Sequence, residues 1–337
     1  MARGLTAAAA GRNALTTLIV RSALALGALC LASAACAQAP FPAKPLRLIV
    51  PFAPGGSTDI LARILSKHMF PQSGHSAVVE NISGAGGNIG AALVAKAPPD
   101  GYILEIGPMS IHTMNASLYK QVPFDPLHDF DPVALLAYVI NVIAVTPAVP
   151  ANTFPELLAY MRANPGRVAY SSGGVGTHNH LTLALLAKTA KLDLLHVPYK
   201  GGGPAVTALL QGEVQMFAGG ASLLLPHARV GKVKLIAVTE DARSSLLPEV
   251  PAVAETLPGF EVTSWYGVFA PRGLAPTTLK SLNEEVNRIA ALPDIVQRFH
   301  ELGMVRPPLS PAQMGEVLKK EAAMWATTIK GLGIAPE

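Results

Sequence analysis

Residues 46–69, LRLIVPFAPGGSTDILARILSKHM, decide the fold. Leu46-Arg47-Leu48-Ile49-Val50 is a short aliphatic run, the pattern of a strand buried on both faces. Pro54-Gly55-Gly56 breaks the run. Ser57 or Thr58 then caps a helix with Ile60, Leu61, Ile64, Leu65 and Met69 on one face and Asp59 in its first turn. Arg63 follows Asp59 by four residues, the spacing of a helical ion pair. A strand that passes through glycines into a helix opens an α/β unit.

The same grammar returns about 120 residues later in the chain. A capping box, Thr153 with Glu156, opens a helix that Asn164-Pro165-Gly166 ends. Residues 167–171 read as a strand. Ser172-Gly173-Gly174-Val175-Gly176-Thr177 follows, and a helix starts at about His178. Further strands are expected at 194–198, 214–217 and 233–238, with helical stretches between them. The apolar runs 139–145 and 262–269 suit strands that cross between lobes. The tail is helical over 276–292 and again after Ser310, which forms a capping box with Gln313. The expected architecture is α/β and two-lobed. Lobe one is discontinuous (38–142 with 263–337), lobe two spans 143–262, and two connections make a hinge.

The chain has 337 residues, 50% of them hydrophobic and 14% charged, which excludes a disordered polymer. Its 30 glycines follow no period, which excludes collagen. The formal charge of +4 is concentrated at the start: Arg3, Arg12 and Arg21 precede any acid, and the first acid is Asp59. An apolar stretch over 24–31 and the small residues Ala35-Cys36-Ala37 complete a secretory leader, with cleavage expected before Gln38. Lipidation of Cys36 is disfavoured, because Ser33-Ala34-Ala35 supplies no aliphatic residue ahead of it. Removing 37 residues leaves a nearly neutral chain with neither Cys30 nor Cys36, which rules out thiol catalysis and cysteine metal sites. Nucleic-acid binding is not expected, and the reading is an exported periplasmic protein.

A helix N-terminus carries unpaired N–H groups and partial positive charge, and glycines ahead of it let an anion reach the backbone. Two such termini, one per lobe, could hold a carboxylate with no fixed cation. A third cluster, Ser83-Gly84-Ala85-Gly86-Gly87-Asn88-Ile89-Gly90, either lines the same cleft through Asn88 or serves close helix packing. Neither the dinucleotide fingerprint nor a Walker loop is present, and Gly-x-Ser-x-Gly and His-Glu-x-x-His are absent. His178, His180 and His196 lack metal-ligand spacing and a neighbouring carboxylate, so they read as packed or solvated histidines. Trp265-Tyr266 reads as hinge packing, with the floor of the cleft as the alternative.

These residues resemble a known family. Pro51-Phe52-Ala53-Pro54-Gly55-Gly56-x-x-Asp59, Val79-Glu80-Asn81, the Gly84–Gly90 cluster, Pro99-Asp100-Gly101-Tyr102 and Tyr170-Ser171-Ser172-Gly173-x-x-Gly176-Thr177 stand in its order. So do His196-Val197-Pro198-Tyr199-Lys200-Gly201, Val250-Pro251-x-Val253-Ala254-Glu255 and Trp265-Tyr266-Gly267. The chain is similar to substrate-binding proteins of tripartite tricarboxylate transporters, the Bug family of periplasmic solute receptors. The resemblance implies a type II periplasmic-binding-protein clamshell, no cofactor, a monomer, a small carboxylate ligand, and a membrane permease or sensor kinase as partner. Carried over, the ligand contacts are Phe52, Ala53, Gly56, Ser57, Thr58 and Asp59 in the first lobe, with Ser110, His112 and Asn88. In the second lobe they are Ser172, Gly174, Gly176, Thr177, His178 and Gly219. Asp59 is expected to accept backbone or water hydrogen bonds and not to touch the anion. Gly219-Gly220 stands where many members have Asp-Asn, which disfavours an amino-acid ligand. Val175 and His178 make the pocket wall less polar and bulkier, which favours an aromatic or simple aliphatic acid. The alternative from another class is a secreted α/β hydrolase or lyase, for which His112, His178 and Asp59 are the available groups.

Overall fold

The computed structural model describes residues 41–306 and 309–333. The expected leader, its cleavage site and both cysteines lie outside them. From the N-terminus the elements are β1 (Leu46–Val50), α1 (Ser57–His68), β2 (Ala77–Asn81), α2 (Asn88–Ala95), β3 (Ile103–Pro108), α3 (Met109–Thr113), α4 (Asn115–Leu118) and β4 (Phe130–Val139). Then come β5 (Asn141–Val145), α5 (Phe154–Ala163), β6 (Ala169–Ser172), α6 (His178–Ala190), β7 (Leu195–Pro198), α7 (Gly202–Gln211), β8 (Met216–Gly220), α8 (Ala221–Ala228) and β9 (Lys234–Val238). The chain closes with β10 (Ser264–Pro271), α9 (Pro276–Ala290), α10 (Pro293–Glu301), β11 (Met304–Val305) and α11 (Pro311–Leu332).

The strands form two sheets. One is ordered β11-β4-β10-β3-β1-β2, the other β7-β6-β8-β5-β9. In the first, β1 runs parallel to β2 and β3, and β10 lies antiparallel between β3 and β4. In the second, β6 is parallel to β7 and β8, and β5 is antiparallel to β8 and β9. Parallel neighbours need crossover helices, which cover the sheet faces and explain why β1 is aliphatic without alternation. α1 turns Leu61 and Leu65 into this core and leaves Arg63 exposed. The expected capping boxes form at Thr153–Glu156 and Ser310–Gln313.

The apolar run 139–145 is two strands, not one. β4 ends at Val139 in the first sheet and β5 starts at Asn141 in the second, so Ile140 alone makes the passage. Its N–H donates to Gly303 (2.9 Å) and its carbonyl accepts from Ala221 (2.7 Å). The return passage lies alongside. Thr239 donates its N–H to the carbonyl of Asn141 (3.0 Å) and its hydroxyl to that of Val262 (2.6 Å). Beyond α9, α10 is a helix that the periodicity had not separated; Pro293 at its first turn starts it afresh.

Candidate functional site

The carboxyl ends of β1, β3, β6, β7 and β8 run into helices around one cavity. The start of β10 and the start of β5 complete its wall. Antiparallel pairing accounts for those two: Tyr266 lies opposite Pro108, and Asn141 opposite Gly220. The cavity is lined by Phe52, Ala53, Gly56, Ser57, Thr58, Pro108, Ser110, Asn141, Gly173, Thr177, His178, Asn179, Gly202, Gly220, Leu223, Ser264 and Tyr266. Its volume is about 540 Å³, the mouth included.

Four helices of eight or more residues start at this cavity: α1, α6, α7 and α8. Their N-caps are Gly56, Thr177, Gly201 and Gly220, and none has a side-chain cap. Three of these caps are glycines with no side chain to offer. Thr177 donates its hydroxyl to Gly174 (2.6 Å) instead of accepting from its own helix. The first-turn amides therefore remain for a ligand, and four helix dipoles converge on it. Among the described residues, no Asp, Glu, Lys or Arg lines the cavity. The site is electropositive through its backbone, without a fixed cation.

The polar side chains are mostly paired with one another. Ser57 and Ser222 share a hydrogen bond of 2.7 Å. Burial raises the phenol pKa of Tyr266, while hydrogen bonds from Ser57 and Ser264 act in the opposite sense. Asn179 donates to the carbonyl of Ala218 (2.8 Å). His178 Nε2 lies 2.7 Å from Asn141 Nδ2, and burial pushes its pKa down to about 4, so the imidazole is neutral.

The two sheets' loops meet directly. Ala53 donates its N–H to Lys200 (3.1 Å), and Tyr119 donates its hydroxyl to Val175 (2.7 Å). A Cβ on Gly203 would lie 2.9 Å from the carbonyl oxygen of Pro54, so only glycine permits this approach. The cleft is closed.

Of the expected contacts, Phe52, Ala53, Gly56, Ser57, Thr58, Ser110, Thr177 and His178 line the cavity. The others do not. Asp59 accepts from Gly55 N–H (3.0 Å), Asn81 (3.1 Å) and Arg63, forming the helical ion pair and fixing the loop ahead of α1. Burial alone would raise its pKa, but the hydrogen bonds from Arg63, Gly55 and Asn81 outweigh burial and lower it. Asn88 is buried against Asn115 (2.7 Å). His112 is stacked on Phe269 at 3.7 Å and bonded to Glu105 (3.2 Å), inside the first-sheet core. Ser172 lies under its loop, bonded to His196 (2.6 Å) and to Gly174. Gly174 (φ +130°) and Gly176 (φ +77°) shape that loop from behind. Gly219 is packed, since a Cβ there would meet Phe217 at 2.5 Å and Asn179 at 2.6 Å.

Sequence reasoning missed Pro108, Asn141, Gly173, Asn179, Gly202, Gly220, Leu223 and Ser264. It also favoured hinge packing for Tyr266, which lines the cavity; Trp265 beside it is buried and bonded to Glu321 (2.9 Å). Two signals were available. Asn141 is the one polar residue in the run 139–145, and Tyr199-Lys200-Gly201-Gly202-Gly203 repeats the strand–glycine–helix grammar once more.

A family model described as the tripartite tricarboxylate transporter family receptor matches residues 61–334. Protein BugT of Bordetella pertussis (strain Tohama I) is 33% identical over 295 residues, covering 87% of this chain and 90% of BugT. Among solved structures, R. palustris Rpa4515 with adipate has a TM-score of 0.85 at 34% identity, covering 88% of this chain and 100% of that one. MatC from Rhodopseudomonas palustris with bound malate has a TM-score of 0.82 at 32% identity, covering 86% and 100%.

Proposed function

Because the chain belongs to the tripartite tricarboxylate transporter family of receptors, we propose that it is a periplasmic receptor that closes on one small carboxylate and passes it on unaltered. The observation that carries this reading is the cavity with four uncapped helix N-termini and no acidic side chain. Each terminus favours a bound anion by about 0.3–2 kcal/mol, the upper end applying in a desolvated site. Adipate and malate in the two structural relatives support the ligand class.

The lobes are the first sheet with its helices and the second sheet with its helices, hinged at Ile140 and at the return passage before β10, so that β5 from Asn141 onward falls in the second lobe. Closure creates a surface across both lobes that a membrane permease or a sensor kinase can recognise. Export rests on the leader read in residues 1–37. Among the described residues no helix is long and apolar enough to cross a membrane.

A receptor role is favoured over hydrolysis by the environment of the cavity's hydroxyls. Ser57 is bonded to Ser222, and the one imidazole in the lining, His178, is bonded to Asn141. The one imidazole bonded to a hydroxyl near this loop, His196 on Ser172, involves two residues outside the cavity lining.

The test is thermal unfolding of the chain from Gln38 onward against mono-, di-, tri- and aromatic carboxylates. A ligand at 100 times its Kd stabilises by about 2.7 kcal/mol, a shift of several degrees. One-to-one binding without product is expected. Turnover of a bound acid would overturn the reading.

A further inference from the structure

Two buried polar atoms in residues that line the cavity have no hydrogen-bond partner among the described residues: Asn141 Oδ1 and His178 Nδ1. Their side chains are bonded to each other through the remaining polar atoms, Nδ2 to Nε2 at 2.7 Å. Asn141 is 1% exposed and His178 6%. Unpaired polar atoms this deep are costly, and native structures rarely leave them so.

The chemistry of the pair is determinate. A neutral imidazole carries one proton. If Asn141 Nδ2 donates to Nε2, the proton sits on Nδ1, and the pair offers His178 Nδ1–H as donor and Asn141 Oδ1 as acceptor. If the amide is turned over, Oδ1 accepts from Nε2–H, and the pair offers Nδ1 as acceptor and the amide N–H as donor. Either way the unpaired groups of the pair include both a donor and an acceptor, since the amide nitrogen carries two hydrogens, and none is charged. Backbone bonds fix both residues: Asn141 N–H donates to Glu240 (2.8 Å), its carbonyl accepts from Thr239 (3.0 Å), and His178 opens α6.

A carboxylate only accepts and an ammonium only donates, so each would leave one atom of the pair unsatisfied. A hydroxyl is the smallest group that does both. Resting on the carboxylate reading above, we propose that Asn141 and His178 select for a hydroxyl on the ligand, so that the receptor prefers small hydroxycarboxylates to the corresponding plain acids.

Calorimetry on the ligand-free protein would compare matched pairs: malate with succinate, lactate with propionate, citrate with tricarballylate, mandelate with phenylacetate. In each pair that binds, the hydroxy acid should be tighter by about 10-fold or more. His178→Phe and Asn141→Leu should each reduce that ratio to below about 3-fold. Equal affinities within a pair, or a ratio unchanged in both variants, would overturn this selectivity while leaving carboxylate binding standing. If no acid of either kind binds, the carboxylate reading falls and the selectivity with it. Should a variant fail to fold, the wild-type pairs still decide the matter.

Discussion

The hydroxyl of Tyr119, just after α4, donates to the carbonyl of Val175 in the glycine loop ahead of α6, at 2.7 Å. The bond joins a segment packed on the first sheet to a loop of the second. Gly86 lies against it, with Val175 O 3.1 Å from where a Cβ would stand. The glycine cluster at 84–90 thus serves close packing around this contact: Gly87 meets Ile111 and Phe52, and Gly90 meets Pro51 and Ile82. Tyr119→Phe removes the bond and keeps the ring. A neutral hydrogen bond contributes about 0.5–1.5 kcal/mol net, so ligand affinity should fall about 2- to 10-fold, chiefly through faster dissociation. Stopped-flow release of ligand measures this directly. An unchanged dissociation rate would show that the contact does not hold the cleft shut.

Gly203 gives a cleaner test of closure. Its φ is not in the left-handed region, so alanine there brings no backbone strain, yet the new methyl would lie 2.9 Å from Pro54 O and 3.0 Å from Gly55 C on the opposite wall. Gly203→Ala should weaken ligand binding by about 10-fold or more and leave the unfolding temperature of the ligand-free protein within a degree or two. Gly176 would not serve, because at φ +77° any side chain is strained whatever the space. Wild-type affinity in Gly203→Ala would mean that binding does not need the two loops in contact.

The fold was legible because short aliphatic runs, glycines and helical periods alternate along the chain, and β1, α1, α5 and α6 lie where those patterns end. Less than a third of the cavity was legible for the same reason, since Gly56 to Thr58 and Thr177 to His178 are helix starts; Phe52, Ala53 and Ser110 came from the family resemblance. The rest depended on pairings that no local pattern encodes. Asn141 reaches the cavity because β5 pairs with β8, and Tyr266 because β10 enters between β3 and β4. Asp59, Asn88 and His112 carry polar groups suited to a ligand, and each found a protein partner instead: Arg63, Asn115 and Glu105.

Acid should loosen the second glycine loop. Gly176 N–H donates to His180 Nδ1 (3.2 Å), His180 stacks on His196 at 4.1 Å, and His196 Nε2 bonds Ser172 (2.6 Å). Burial lowers the pKa of His180 to about 4, and burial together with His180 lowers that of His196 to about 3. In the unfolded chain both titrate near 6.5. Below that the unfolded state takes up protons that the folded state refuses, so stability present above about pH 6.5 is lost as pH falls toward 4. Protonated Nδ1 also cannot accept from Gly176. His180→Gln should flatten this acid limb by an amount on the order of 1–3 kcal/mol, read as the difference in urea unfolding between pH 7.5 and 4.5. An unaltered limb would place the acid sensitivity elsewhere.

Glu240 acts in the opposite sense, at the hinge. Its carboxylate accepts the N–H of Asn141 at the passage between sheets (2.8 Å), and its second oxygen has no partner among the described residues. Burial raises its pKa to about 7, against the lowering effect of the backbone donors. A raised carboxyl pKa means that the folded state holds the proton more tightly than the unfolded one. Stability is therefore full below about 4.5 and is lost as pH rises through 7. Glu240→Gln keeps an oxygen for Asn141 N–H and removes the ionisation. The variant should match the wild type near pH 4.5 and exceed it by an amount on the order of 1–3 kcal/mol at pH 8.5, measured by denaturant unfolding. Because the histidines act below 6.5 and this carboxyl over 4.5–7, the two slopes oppose where they overlap, so the wild type should show a shallow profile that each substitution tilts in its own direction. A Glu240→Gln variant that tracks the wild type at every pH would mean that the carboxyl is ionised in the folded state at no cost.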